Sequence, residues 1–127
     1  SWFAGRPGVV RTPRYVRDNI PVPLLGEAYA ALTAAVLEDG ASEYTARPQG
    51  FVGTQAEFGL RLSAAMAPRL GLACEVELAD QPTLSEPEVR INSDPWLRPG
   101  WDEAGFWDDY ADYYRRIAAA GLLDAPA

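Results

Sequence analysis

The spacing of apolar residues along this chain changes several times, and each change marks an element. Residues 1–8 read as a helix end running into a turn at Gly5-Arg6-Pro7-Gly8. Val9-Val10-Arg11-Thr12 predicts a short strand, Pro13 interrupts it, and Tyr15-Val16-Arg17-Asp18-Asn19-Ile20 resumes in extended form. From Pro21 and Pro23 the spacing shifts to three and four. Leu25, Ala28, Tyr29, Leu32 and Val36 make the apolar stripe of a helix that the prolines open and Gly40 closes. Residues 43–47 predict a strand ended by Pro48-Gln49-Gly50.

Thr54-Gln55-Ala56-Glu57 is a capping box ahead of a helix that buries Phe58, Leu62, Ala65 and Met66. Pro68 is expected to kink or end that helix, with Gly71 at its exit. Cys74, Val76 and Leu78 alternate with Glu75 and Glu77, the period of a half-buried strand. A proline-bearing loop follows, with a short extended piece at Val89-Arg90-Ile91. The last helix starts at Asp102 as N-cap and sets Phe106, Trp107, Tyr110, Tyr113, Tyr114 and Ile117 on one face. Strand, strand, helix, strand, helix, strand, loop, helix predicts an α/β fold. It is a small sheet with strand-helix-strand crossovers and three main helices, in a single domain over 1–127.

Composition supports one folded domain: 127 residues, 48% apolar, with four Trp, six Tyr and four Phe. The net charge of −7 sets the chain against nucleic acid and against an anionic membrane surface. No apolar run approaches the ~20 residues of a membrane span, and the N-terminus carries no signal pattern, so a cytoplasmic location is expected. Cys74 is the single cysteine, and its apolar phase predicts a buried, inert thiol.

The chain contains neither His nor Lys. That removes a Ser-His-Asp triad, a lysine Schiff base, a P-loop lysine and a histidine-ligated zinc site. Acid–base work is left to Asp, Glu, Tyr, Cys74 or water, because Arg stays protonated.

Three stretches resemble the extended short-chain dehydrogenases/reductases, the NAD-dependent epimerase/dehydratase family, in their C-terminal, substrate-binding portion. Tyr15-Val16-Arg17-Asp18-Asn19-Ile20-Pro21-Val22-Pro23-Leu24-Leu25 is similar to the Arg-Asp motif that leads into a helix. Arg47-Pro48-Gln49-Gly50-Phe51 is similar to a strand-to-glycine-turn-to-helix step. Val89-Arg90-Ile91-Asn92-Ser93-Asp94-Pro95 with Gly100-Trp101-Asp102-Glu103 is similar to the closing pattern. The match runs from about Val9 to Leu123.

The resemblance implies the substrate-binding portion of an epimerase/dehydratase-like protein, truncated before its Rossmann half, that takes an anionic small molecule of biosynthesis. It places Arg17 near the substrate as a phosphate holder. Pro21 stands where the family has His or Tyr, and the glycine-rich nucleotide loop and the Tyr-x-x-x-Lys motif are missing. No redox activity is therefore expected from this chain alone, and no cofactor bound by it, NAD(P) belonging to the full-length family.

Candidate catalytic residues are Asp18 and Tyr15; candidate substrate-binding residues are Arg17, Arg14, Asn19, Arg90 and Trp96. Arg6, Arg11, Arg14 and Arg17 form either an anion site or solvated strand-edge charge. Asp18 is either an acid/base or a cap or ion-pair partner, and Tyr15 either lines a cleft or packs. The aromatic face of the last helix fits core packing better than ligand stacking. Besides the binding half, two readings stay open: a stand-alone non-redox isomerase, dehydratase or cyclase using Asp18, Tyr15 or Glu57, and a non-catalytic partner of a Rossmann-domain chain. The three helix stripes exceed what a small sheet covers, so a homodimer or a Rossmann-domain partner is expected.

Overall fold

The structure is a computed structural model that describes residues 1–40, 45–94 and 102–123. A short 3-10 turn at Trp2–Ala4 ends at Gly5 in the left-handed region and leads into β1 (Gly8–Val10). Then come β2 (Val16–Asn19), α1 (Val22–Asp39), β3 (Phe51–Thr54), α2 (Gln55–Leu70), β4 (Val76–Leu78), β5 (Val89–Arg90) and α3 (Glu103–Ala119). This is the expected α/β order with three main helices. Among the described residues the strands form two sheets: a parallel pair β1-β4 and a mixed sheet ordered β3-β2-β5. β2 lies antiparallel to β3 and parallel to β5.

Local chemistry explains the helix boundaries. The Thr54 hydroxyl accepts from Glu57 N–H at 3.1 Å, and the Glu57 carboxylate accepts from Thr54 N–H at 2.7 Å, so the capping box closes both ways. Asp102 caps α3 by accepting from Gly105 N–H at 2.8 Å. Gly40 and Gly71 take the left-handed conformation that ends α1 and α2. Pro68 does not end α2, which continues to Leu70. It stands in the last turn, where its missing N–H removes a single backbone bond.

The core lies between α2 and α3: Met66, Cys74, Trp107 and Ala111 are buried, and Trp2, Phe58, Leu62 and Leu70 pack around them. Arg61 pairs with Glu103 and Arg69 with Asp108 across the two helices. Burial pushes the Cys74 thiol up from its ordinary pKa, as expected of an inert side chain.

Two expectations are corrected. Of the expected strand at 43–47, residues 43 and 44 lie outside the described residues, and Thr45, Ala46 and Arg47 are irregular. Arg47 N–H instead bonds the Asp94 carboxylate, and Pro48 makes an isolated bridge with Asp94. The strand falls at Phe51–Thr54, a stretch that reads as the turn into the helix. Gly50 permits this: a Cβ there would run into the Asn19 carbonyl and Ile20, so only glycine lets the chain come this close to β2. The second correction is at one position of the α1 stripe: Ala28 is buried and Leu25, Leu32 and Val36 are half-buried as expected, but Tyr29 is 63% exposed and Leu24 is buried instead. Leu25 N–H bonds the Pro21 carbonyl at 2.9 Å, the first bond of the helix, so α1 starts directly at the proline entry.

Candidate functional site

β2 runs straight into α1, and that junction faces α2 and α3 across an open cavity of about 800 Å³. One wall is Asp18, Asn19, Ile20 and the Pro21-Val22-Pro23 entry of α1; the other is Phe58 and Leu62 of α2 with Phe106, Trp107, Asp109, Tyr110 and Tyr113 of α3. Most of this lining is apolar, with few polar groups, as in small-molecule sites generally.

Trp107 is held in place: its indole N–H donates to Glu103 at 3.0 Å, and Arg61 grips the same carboxylate oxygen. Burial raises the pKa of Glu103, but the bonds from Arg61 and Trp107 outweigh it and leave the carboxyl below its usual value. Phe51 of β3 stacks on Trp107 at 6.4 Å, which ties the antiparallel β2–β3 pair to the cavity wall. Tyr110 and Tyr114 share a hydroxyl contact at 3.2 Å. Burial pushes the Tyr110 phenol well above its ordinary pKa, so it stays protonated and serves as a neutral hydrogen-bonding group.

The structure divides the predicted residues. Asp18 and Asn19 reach the cavity. Asp18 Oδ2 accepts from Asn92 N–H at 2.8 Å, which ties β2 to the segment after β5. The Asn19 amide nitrogen is buried and has no hydrogen-bond partner among the described residues. An unmet buried donor costs about 1–3 kcal/mol.

Tyr15 is buried and lines none of the cavities described. Its hydroxyl meets Ser85 Oγ at 3.2 Å and accepts from Ser85 and Glu86 N–H at 3.0 and 3.1 Å. The Ser85 hydrogen bond lowers its pKa first, the two N–H groups add to this, and burial opposes them. A phenol so engaged anchors the 85–86 backbone, which is the packing alternative for this residue.

The arginines also lie away from the cavity. Arg17 donates to the Val16 and Glu88 carbonyls at 2.7 and 3.1 Å, reaches Glu86 at 3.4 Å and stacks 4.4 Å over the Tyr15 ring. Arg90, its register neighbour on β5, meets the same Glu86 oxygen at 3.2 Å. Arg14 is spent on Gln81, by its backbone N–H and its guanidinium. Glu57 is held in its capping box. Trp96 lies outside the described residues.

The sequence reading missed the cavity role of Phe58, Phe106, Tyr110 and Tyr113. Their helical spacing was the available signal, but core and cavity wall share that pattern. Trp107 is buried and Tyr113 half exposed, so the aromatic face serves as both. Among the described residues no cluster of His, Cys, Asp and Glu is suited to a metal ion, and no helix is long and apolar enough to cross a membrane. Comparison of the chain with known protein families, with curated proteins and with solved structures gives no match.

Proposed function

We propose that this chain is the substrate-binding portion of an NAD-dependent epimerase/dehydratase-like protein, and that the cavity between the β2–α1 junction, α2 and α3 receives a small organic substrate. The observation that carries this reading is that Asp18, Asn19, Ile20 and Pro21, at the centre of the Arg-Asp stretch, form one wall of that cavity. The unmet Asn19 amide supports it: a ligand oxygen can pair with this donor once the side chain turns. In this reading the nicotinamide is held by another chain or segment. Either that Rossmann-type partner or a second copy covers the apolar surface of α1.

The cavity lining lacks the basic residues on which the expectation of an anionic ligand rested. Neither Arg14, Arg17 nor Arg90 lines the cavity, and its carboxylates disfavour an anion there. Among the described residues, Arg17 and Arg90 offer an anionic group a seat, where two guanidinium groups share one oxygen of Glu86. It would have to displace that carboxylate, so Glu86→Gln should tighten phosphate binding if the seat is used.

Fragment titration followed by NMR tests the main reading. Small aromatic or alicyclic ligands should shift the Asn19 side-chain amide and the Trp107 indole together. Ligands that leave both unmoved would overturn the assignment of the cavity. Tight NAD(P) binding by this chain alone would overturn the proposed division of labour.

A further inference from the structure

We infer that the ligand of this cavity carries a positive charge, as an amine or quaternary ammonium joined to an apolar or aromatic body. The inference rests on reading the cavity as a substrate site, and it names the class of molecule that fits.

The acids of α3 and its cap supply the first argument. Asp102 caps the helix, Glu103 pairs with Arg61, Asp108 with Arg69, and Asp112 with Arg115. Asp109 makes no ion pair within 4 Å among the described residues; it borders the cavity on one side and a surface depression with Arg115 and Arg116 on the other. Asp18 faces the same space from β2. Two carboxylates from different elements therefore look onto one apolar cleft, with no described basic residue in its lining.

The rings supply the second. The face of an aromatic ring attracts a cation within about 6 Å of its centre, and the attraction grows as water is excluded. This protein already uses such contacts elsewhere: Arg61 sits 4.3 Å over Phe51, and Arg17 4.4 Å over Tyr15. No described guanidinium lies over Tyr110 or Tyr113, the rings beside Asp109. A ligand ammonium would meet both the carboxylate and the ring faces there, while its apolar body packs against Phe58, Leu62 and Trp107.

Three probes of similar size separate charge from shape: phenethylamine, 2-phenylethanol and phenylacetate, each titrated into the intact chain at low salt and followed by the Trp107 indole and Asn19 amide resonances. The amine should bind about tenfold tighter than the alcohol, and phenylacetate more weakly than either. Asp109→Asn should cut the amine affinity several-fold and leave the alcohol unchanged. Asp109 is exposed, so the variant should fold, as circular dichroism will check. Equal binding of amine and alcohol would overturn the charge inference and leave the cavity reading standing. If none of the three moves those resonances, the cavity reading falls and the inference with it.

Discussion

Helices α2 and α3 pack against each other around Met66, Trp107 and Ala111, whereas α1 buries Leu24 and Ala28 near its start and contributes nothing to that core cluster. The α2–α3 side has side-chain caps at both N-termini, two interhelical ion pairs and four buried core residues. The α1 side begins at a proline without a side-chain cap, and Val22 and Leu37 stand 78% and 79% exposed. A helix that is apolar on nearly every face is ordinarily covered on more than one of them. The contrast separates a side that closes its own core, α2–α3, from one that leaves large apolar side chains exposed, α1.

Four predictions break or sharpen that contrast. The largest effect is expected from Trp107→Ala, which removes the stacked centre of the α2–α3 core and should cost about 3–5 kcal/mol. Small domains hold only about 5–15 kcal/mol in total. A denaturant midpoint that hardly moves would mean that the core lies elsewhere.

Gly50→Ala should cost about 1–3 kcal/mol by overpacking against Asn19 and Ile20, read as a lowered melting temperature with broadened β2 and β3 amides. It strikes the contact between the start of β3 and the end of β2 that leads into α1, so α1 should lose protection from hydrogen exchange before α2 does. Simultaneous loss would show one cooperative unit.

Thr54→Ala should cost about 1 kcal/mol through the lost cap. The pH dependence at this site has a definite sign. The Thr54 backbone N–H, followed by its hydroxyl, holds the Glu57 carboxyl below its ordinary value of 4.5. The folded pKa is thus below the unfolded one, so this contribution is full above about pH 4.5 and disappears as acid protonates the folded carboxylate. Glu57→Gln should flatten that acid limb of the stability curve; an unchanged limb would assign it to other carboxylates.

The smallest effect on stability is expected from Tyr29→Glu combined with Leu37→Glu on exposed α1, within about 0.5 kcal/mol per site. Sedimentation at micromolar concentration gives the informative readout. If a second copy covers α1, wild type should associate and the double variant should not. A wild-type chain that stays monomeric leaves the cover to a different chain.

The sequence made the helices legible because their signals are local. Thr54 and Glu57 sit three residues apart, Asp102 precedes an aromatic stripe, and Gly40 and Gly71 follow the last turns. The strand at Phe51–Thr54 was less legible because four residues ending in a helix cap look like a turn. What makes it a strand is the distant β2, with Gly50 admitting the close approach. The site divides in the same way. Asp18 and Asn19 could be singled out from their stretch of chain, but its arginines were legible only as charge.

By itself, the sequence determined the α/β order, the helix caps and the exclusion of histidine and lysine chemistry, because these follow from residue identity and spacing over a few positions. Only the tertiary structure decided that Arg17 and Arg90 share Glu86, that Tyr15 anchors the 85–86 backbone, and that Asp18 and Asp109 face one cavity. Those outcomes depend on which strands pair and how the helices rotate. That is settled by burial and hydrogen-bond satisfaction over the whole fold, and no short window of sequence contains it.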